Sequence, residues 1–120
     1  MSPDQLKALV AKSLDDDKAE NIEIIDLSAH SSLADFMIVA SGRSSRQVSA
    51  LAEKLVERLS EAGHKGLRTE GMRSGDWVVV DAGDVIVHLF RPEVREFYNI
   101  EKMWRSAPHL AGLTPVSRTV

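Results

Sequence analysis

The sequence predicts an α/β (α+β) domain with a mixed five-stranded sheet and flanking helices. Segments typical of helices and strands follow one another in the order α-β-β-α-β-β-β-α, and that order favours a mixed sheet. The chain has 120 residues, of which 43% are hydrophobic and 28% are charged, as expected for a globular protein rather than a disordered one. We expect a single domain over residues 1–107 and a loose C-terminal tail over residues 108–120.

A helix is predicted at the start of the chain. Ser2 suits the N-cap, Pro3 suits the first helical position, and Asp4 places an acid in the first turn. Apolar residues then recur at helical spacing, namely Leu6, Leu9, Val10 and Leu14. The helix is expected to end at residues 15–17, because three aspartates there meet the negative end of the helix dipole.

The middle of the chain contains two predicted strands, the clearest helix and one ambiguous segment. Residues 21–27 predict a strand, and residues 35–42 predict a buried strand that ends at a glycine. Residues 44–63 predict a helix with Gly63 as its stop. Its apolar stripe is Val48, Leu51, Leu55 and Leu59. Residues 64–72 contain two glycines and predict a strand only ambiguously.

Residues 76–90 predict two strands that meet around Ala82-Gly83. A two-residue loop at those positions would place Trp77 opposite His88. Because side chains alternate across a strand, one face collects mixed residues and the other only aliphatic ones. The mixed face is Trp77, Val79, Ile86, His88 and Phe90, and the aliphatic face is Val78, Val80, Val85, Val87 and Leu89. The aliphatic face is predicted to pack against the long helix.

The mixed face has two open interpretations. One is a second buried layer under the last helix, since strands that are apolar on both faces are commonly covered on both. The other is a partner surface, because Trp and Tyr often anchor interfaces. The two interpretations are compatible if the helix covers part of the face and leaves Trp77 at the edge of the covered part.

The last helix is predicted to run without interruption from Pro92 towards Trp104. The stripe that would face the sheet is Phe97, Ile100 and Trp104. Glu101 would form an exposed ion pair with Arg105, and Arg95 would lie on a solvated face.

The composition excludes several classes of function. The chain has no cysteine, which excludes disulfides and thiolate chemistry and suits a reducing cytosol. The four histidines lack metal-ligand spacing and no cofactor-binding motif occurs, so we expect neither a metal nor a cofactor. The sequence contains no signal for export or membrane insertion. A net charge of −3 disfavours direct binding of nucleic-acid phosphates and favours a basic protein as partner.

Residues 40–47, ASGRSSRQ, give the strongest phosphate-like signal, because a strand, a glycine, serines and a helix N-terminus follow one another. A nucleotidyl-transfer site there would also need paired carboxylates for two metal ions. Asp81 and Asp84 offer two carboxylates across a turn, without the same-face spacing that such a site needs. A tight turn and a helix cap are the simpler interpretation of Ser41 and Gly42.

Three segments resemble a known family. ADFMIVASGRSSRQVSALAEKL (34–55), EGMRSGDWVVVDAGDVIVHLF (70–90) and REFYNIEKMW (95–104) are similar to the ribosomal silencing factor family RsfS, also called Iojap-like. Ala82 departs from the pattern, which usually has an aromatic residue there. The resemblance implies a fold related to the nucleotidyltransferases, without demonstrated transferase activity. It also implies a dimerising cytosolic factor that binds a large-subunit ribosomal protein at the subunit interface and blocks subunit joining when nutrients are scarce.

The resemblance leads us to expect a docking surface and no catalytic residue. The predicted partner-binding residues are Glu70, Trp77, Asp81, His88, Phe90, Arg95, Glu96, Tyr98 and Glu101. The expected partner is the large ribosomal subunit, reached through a basic ribosomal protein, with little nucleic-acid contact, no membrane and a second copy of the chain in a homodimer. Two alternatives stay open at this point. One is a large-subunit biogenesis factor, as implied by organellar family members, and the other is an enzyme that uses Ser41, Gly42, Asp81 and Asp84.

Overall fold

The computed structural model describes residues 1–29 and 32–106, with side chains described up to Met103. The described elements are α1 (Pro3–Asp16), β1 (Glu20–Asp26), β2 (Phe36–Ser41), α2 (Ser45–Glu61), β3 (Arg68–Glu70), β4 (Trp77–Asp81), β5 (Val85–Phe90), α3 (Pro92–Tyr98) and α4 (Ile100–Ser106). The strands form one sheet in the order β1-β2-β5-β4-β3, in which β2 and β5 are parallel and the other pairs antiparallel. The predicted mixed five-stranded sheet with flanking helices is therefore confirmed. The predicted tail, 108–120, lies outside the described residues.

Helices α1 and α2 cover the aliphatic face of the sheet, of which the packing against the long helix α2 was predicted. Val78, Val80 and Leu89 are fully buried there. Helix α1 starts with a reciprocal cap, since Ser2 Oγ accepts from the Gln5 N–H and Gln5 Oε1 accepts from the Ser2 N–H. Three aspartates meet at its C-terminal end, where a cation from α2 compensates for them.

That cation is Arg58, whose Nη1 and Nη2 donate to the two oxygens of Asp17 at 2.7 and 3.1 Å. Its Nη1 also donates to Ser13 Oγ at 2.9 Å. The carboxylate raises the pKa of Arg58 above its ordinary value. This bidentate contact connects the C-terminal end of α1 to α2.

The hairpin between β4 and β5 has a different register from the one predicted. Trp77 lies opposite Phe90, and Val79 lies opposite His88. The turn is at Gly83-Asp84, because the Ala82 N–H donates to the Val85 carbonyl at 3.0 Å and Gly83 has a positive φ of 84°. A glycine suits the first position of such a hairpin turn. The register shifts by two residues, so each side chain keeps its predicted face.

The mixed face of the sheet is a second buried layer. Its members include Met37, Val79 and Ile100, which are 0%, 2% and 1% exposed. No described helix is long and apolar enough to cross a membrane.

The predicted continuous last helix is wrong, because it breaks at Asn99. That residue adopts a left-handed conformation (φ 46°, ψ 50°) and its N–H donates to the Arg95 carbonyl at 2.8 Å, which ends α3. The break rotates α4 relative to α3. Ile100 therefore enters the core, whereas Phe97 is 79% exposed and does not face the sheet. The side chain of Trp104, the third predicted member of the stripe, lies outside the described part.

Candidate functional site

An aromatic cluster forms the base of the candidate site. Trp77 packs on Phe90 with ring centroids 4.9 Å apart, and its Nε1 donates to His88 Nδ1 at 2.9 Å. Because Nδ1 accepts this bond, a neutral imidazole carries its proton on Nε2. Trp77 is 5% exposed, and His88 and Phe90 are fully buried. These three predicted site residues thus belong to the second core layer.

Two neighbouring aromatic side chains lie above this base, at the end of α3. Tyr98 contacts Trp77 with ring centroids 4.8 Å apart, and Phe97 meets Tyr98 edge-on at 5.0 Å. Phe97 is 79% exposed and Tyr98 37% exposed. We call these two residues the α3 aromatic pair. Among the described side chains they are the large exposed aromatics, and the indole below Tyr98 limits how that ring can move.

Acidic side chains accompany the α3 aromatic pair. Glu93 and Glu96 are exposed on α3 itself. Glu70 lies on β3 opposite Val79, on the same face of the sheet as the aromatic cluster. Its Oε2 is buried and has no hydrogen-bond partner in the described part of the chain. Exposed rings and exposed carboxylates thus lie on the same short helix, where Glu93 accepts from Arg91 Nη1 at 2.6 Å.

Arg95 holds α3 and α4 to the edge of the sheet. Its Nη1 donates to Ser41 Oγ at 2.8 Å, and its Nε lies 3.2 Å from Glu101 Oε1. Its Nη2 lies 3.8 Å from Glu23 Oε2 on β1. The Arg95 side chain is 11% exposed and that of Glu101 14%, so neither is the solvated surface residue that the sequence predicted. Glu101 is paired with Arg95. The side chain of Arg105, its predicted partner, lies outside the described part.

An open cavity of about 370 Å³ lies beside this ion pair. Ser41, Arg95 and Glu101 lie at its base, and Asn21, Glu96 and Asn99 lie around it. We call it the Arg95 cleft. It brings three of the predicted site residues together from α3 and α4.

Asp81 lies apart from the other predicted site residues. It is four residues along β4 from Trp77, or about 13 Å at the usual rise per strand residue. Its Oδ1 accepts from the Gly83 N–H at 2.9 Å, as in a turn-stabilising aspartate. The structure therefore assigns it a local role in the hairpin turn.

The geometry does not fit a nucleotidyl-transfer site. Ser41 pairs with Phe90 at one end of the parallel strands, whereas Asp84 precedes β5 at the other end. Six residues of strand separate the two ends, about 20 Å. In the described part of the chain, no group of three or more potential ligand residues could hold a metal ion. Asp81 and Asp84 thus cannot serve a reaction at Ser41.

The N-terminus of α2 has its own caps. Ser44 Oγ accepts from the Gln47 N–H at 3.1 Å, and Gln47 Oε1 accepts from the Arg43 N–H at 2.6 Å. Gly42 is explained by packing, because a Cβ there would lie 2.9 Å from Val48 Cγ2. Residues 40–47 thus form a tight strand-to-helix connection, which agrees with the simpler interpretation of a tight turn and a helix cap.

Sequence reasoning missed Asn21 and Asn99, both of which line the Arg95 cleft in left-handed conformations with φ of 51° and 46°. Asparagine tolerates this conformation better than most residues, so Asn99 carried a signal for the helix break. Asn21 lies where the register between β1 and β2 shifts, and nothing in the sequence indicated that bulge.

Comparison with known proteins gives consistent matches. A family model described as "Ribosomal silencing factor during starvation", RsfS, matches residues 1–119. The ribosomal silencing factor RsfS of Zymomonas mobilis is 56% identical over 102 residues, which cover 85% of this chain and 77% of the relative. A mouse protein named "Mitochondrial assembly of ribosomal large subunit protein 1" is 29% identical over 99 residues, covering 80% of this chain and 43% of that protein.

A solved structure agrees with these sequence matches. The crystal structure of a Chromobacterium violaceum protein is 43% identical, covers 96% of this chain and 91% of its own, and superposes with a TM-score of 0.84. The family match covers nearly the whole sequence, including the α3 aromatic pair and the Arg95 cleft. The chain therefore belongs to the RsfS family of ribosomal silencing factors.

Proposed function

We propose that this protein silences translation by binding a basic protein of the large ribosomal subunit at the face that the small subunit must occupy. The bound protein then excludes the small subunit sterically, and no covalent bond is made or broken. Family membership supports the link to the ribosome. The observation that carries the docking surface is the exposure of the α3 aromatic pair.

The α3 aromatic pair has the properties of an interface anchor. Phe97 exposes 79% of its surface to water, although removing such a ring from water is favourable. Tyr98 is held from below by Trp77, so little side-chain freedom is lost when a partner covers it. Rigid aromatic residues of this kind supply much of the affinity of protein interfaces.

The charge around the pair favours a basic partner. Glu93 lies on α3 four residues before Phe97, Glu70 lies on the sheet face of the aromatic cluster, and the whole chain has a net charge of −3. Complementary charge accelerates association and selects the orientation of the complex. The same acids would repel an RNA backbone, so we propose that contact with ribosomal RNA is minor.

The buried ring side chains of the predicted set support this surface rather than touch the partner. Trp77, His88 and Phe90 form the base on which Tyr98 rests. Arg95 and Glu101 fix the ends of α3 and α4. Asp81, about 13 Å along the strand, would meet a partner only at the rim of the interface.

The test is co-sedimentation with purified ribosomal subunits, followed by light scattering of subunit joining. The wild-type protein should bind large subunits and not small ones, and it should slow joining. Phe97→Ala and Tyr98→Ala should each weaken binding by about tenfold or more, as for interface aromatics. Ile24→Ala is the matched control, because Ile24 is 45% exposed but lies on the α1 face of the sheet. Binding to small subunits alone, or normal joining at saturating protein, would contradict the proposal.

Large-subunit assembly is the second candidate function, and the name of the mouse relative favours it. An assembly factor should bind immature large subunits and leave mature ones. Sucrose gradients of cell lysates distinguish the two functions, because a silencing factor should co-migrate with mature large subunits. We also propose a cytosolic homodimer, which analytical ultracentrifugation of the purified chain tests.

A further inference from the structure

The Arg95 cleft contains more negative than positive charge. One cation, Arg95, lies against Glu101 and Glu23 at its base, and Glu96 adds a third carboxylate at the side. A second cavity of about 470 Å³ continues the cleft along β1 and shares Asn21, Arg95 and Glu101 with it. The two cavities together thus have a formal charge of −2, from the three carboxylates and one guanidinium that line them.

The hydrogen bonds of the cleft also leave acceptors available. Arg95 Nη1 donates to Ser41 Oγ, and carboxylate oxygens of Glu101 and Glu23 lie 3.2 and 3.8 Å from its Nε and Nη2, so an incoming anion would meet their negative charge. Glu101 Oε1 is buried and makes no hydrogen bond to the described residues, although Arg95 Nε is only 3.2 Å away. The amides of Asn21 and Asn99 add carbonyl oxygens that accept from N–H groups. The available groups suit a donor-rich cation, whose several N–H groups can bond these acceptors together.

We propose that the Arg95 cleft receives a cationic side chain, a lysine or an arginine, from the basic protein partner. This inference rests on the proposed function and adds a second anchor to it. The α3 aromatic pair supplies apolar contact. The cleft at the other side of α3 supplies a charged binding site, which we call the socket, that fixes the orientation of the partner. Arginine fits best, because its planar fork can bond a carboxylate and a neighbouring amide together.

The first experiment probes the cleft in the free, full-length protein with a small cation. Argininamide should shift the NMR signals of the Asn21 and Asn99 side-chain amides. Citrullinamide, which has nearly the same shape without the charge, should not. Glu101→Gln should reduce the argininamide shifts at both amides. Equal shifts with both compounds, or none with argininamide, would overturn the proposed cation preference.

The second experiment measures the affinity of variants for purified large subunits. Glu96→Gln should weaken binding about threefold to tenfold, and Glu101→Gln about tenfold or more, mainly through faster dissociation. Glu57→Gln is the control, because Glu57 is an acid on α2 with a side chain 59% exposed. Since Glu101→Gln removes a nearly buried charge, its fold is checked by melting. The exposed Glu96→Gln keeps the test valid if that variant unfolds.

The outcomes separate this inference from the proposed function. If the wild-type protein does not bind large subunits, the proposed function fails and the socket fails with it. If the wild type binds and both glutamine variants bind equally well, only the socket is refuted. A loss of affinity in both variants, with Glu57→Gln unchanged, supports the socket.

Discussion

The hydrogen bond between Trp77 and His88 allows the core and docking roles of Trp77 to be tested separately. In Trp77→Phe the ring stays apolar, but His88 Nδ1 loses the donor that lies 2.9 Å away in the wild type. A buried acceptor without its donor costs about 1–3 kcal/mol. The smaller ring also leaves space next to Phe90 and Tyr98, which costs about 1 kcal/mol more.

The expected loss of stability is therefore about 2–4 kcal/mol, which is a large share of the about 5–15 kcal/mol that stabilises a typical domain. The melting temperature should fall by about 10 °C. Calorimetry or circular dichroism measures this change. Phe97→Leu is the control, because Phe97 is 79% exposed and its replacement should leave the melting temperature almost unchanged.

A double-mutant cycle isolates the hydrogen bond itself. His88→Leu alone leaves the indole N–H without its acceptor, whereas the combination with Trp77→Phe removes both the donor and the acceptor. The two changes should therefore couple by about 1 kcal/mol or more. Large-subunit affinity, measured well below the melting temperature, should change little in Trp77→Phe. If that variant melts like the wild type but loses affinity, Trp77 anchors the partner directly and its assignment to the core is refuted.

Three further predictions concern the elements around the site. Arg95→Ala leaves Glu101 nearly buried without its cation and should lower the free energy of unfolding by about 3–5 kcal/mol, measured with urea. Asn99→Gly should be nearly neutral in the same assay, whereas Asn99→Ala should cost about 1 kcal/mol, since only the alanine Cβ opposes the left-handed conformation. The hydrogen bond from Lys12 lowers the pKa of Asp16, so its stabilising effect is present above the ordinary pKa of 3.8 and is lost as the pH falls through the lowered value. NMR titration should show the Asp16 pKa return towards its ordinary value in Lys12→Met.

The sequence predicted the order of the elements because hydrophobic periodicity reports burial directly. It also predicted the two faces of the β4–β5 hairpin, although the register was wrong by two residues. Both turns that the sequence allowed contain Gly83, and pattern alone does not decide whether this glycine comes first or second. The faces were correct despite this error, because a shift of two residues preserves the alternation of side chains.

The candidate site was less predictable because its contacts join distant parts of the chain. Arg95 and Ser41 are 54 residues apart, and nothing in their spacing indicates a hydrogen bond. The exposure of Phe97 was missed for a local reason, since a single left-handed residue, Asn99, changes the face that the following helix presents. One interpretation left Trp77 at the edge of the part that the last helix covers, but α3 places Tyr98 over it.

The break at Asn99 has a consequence for local unfolding. It divides the end of the described chain into two helices of seven residues each, and isolated helices of that length are not stable in water. No residue of α3 is fully buried, so this helix depends on the contacts of the partly buried Val94, of Tyr98 and of Arg95 to stay ordered. The amides of α3 should therefore exchange with deuterium long before those of α2, by openings that leave the sheet intact. A partner that binds the α3 aromatic pair must suppress these openings, so part of its intrinsic affinity is used to order the helix that it recognises.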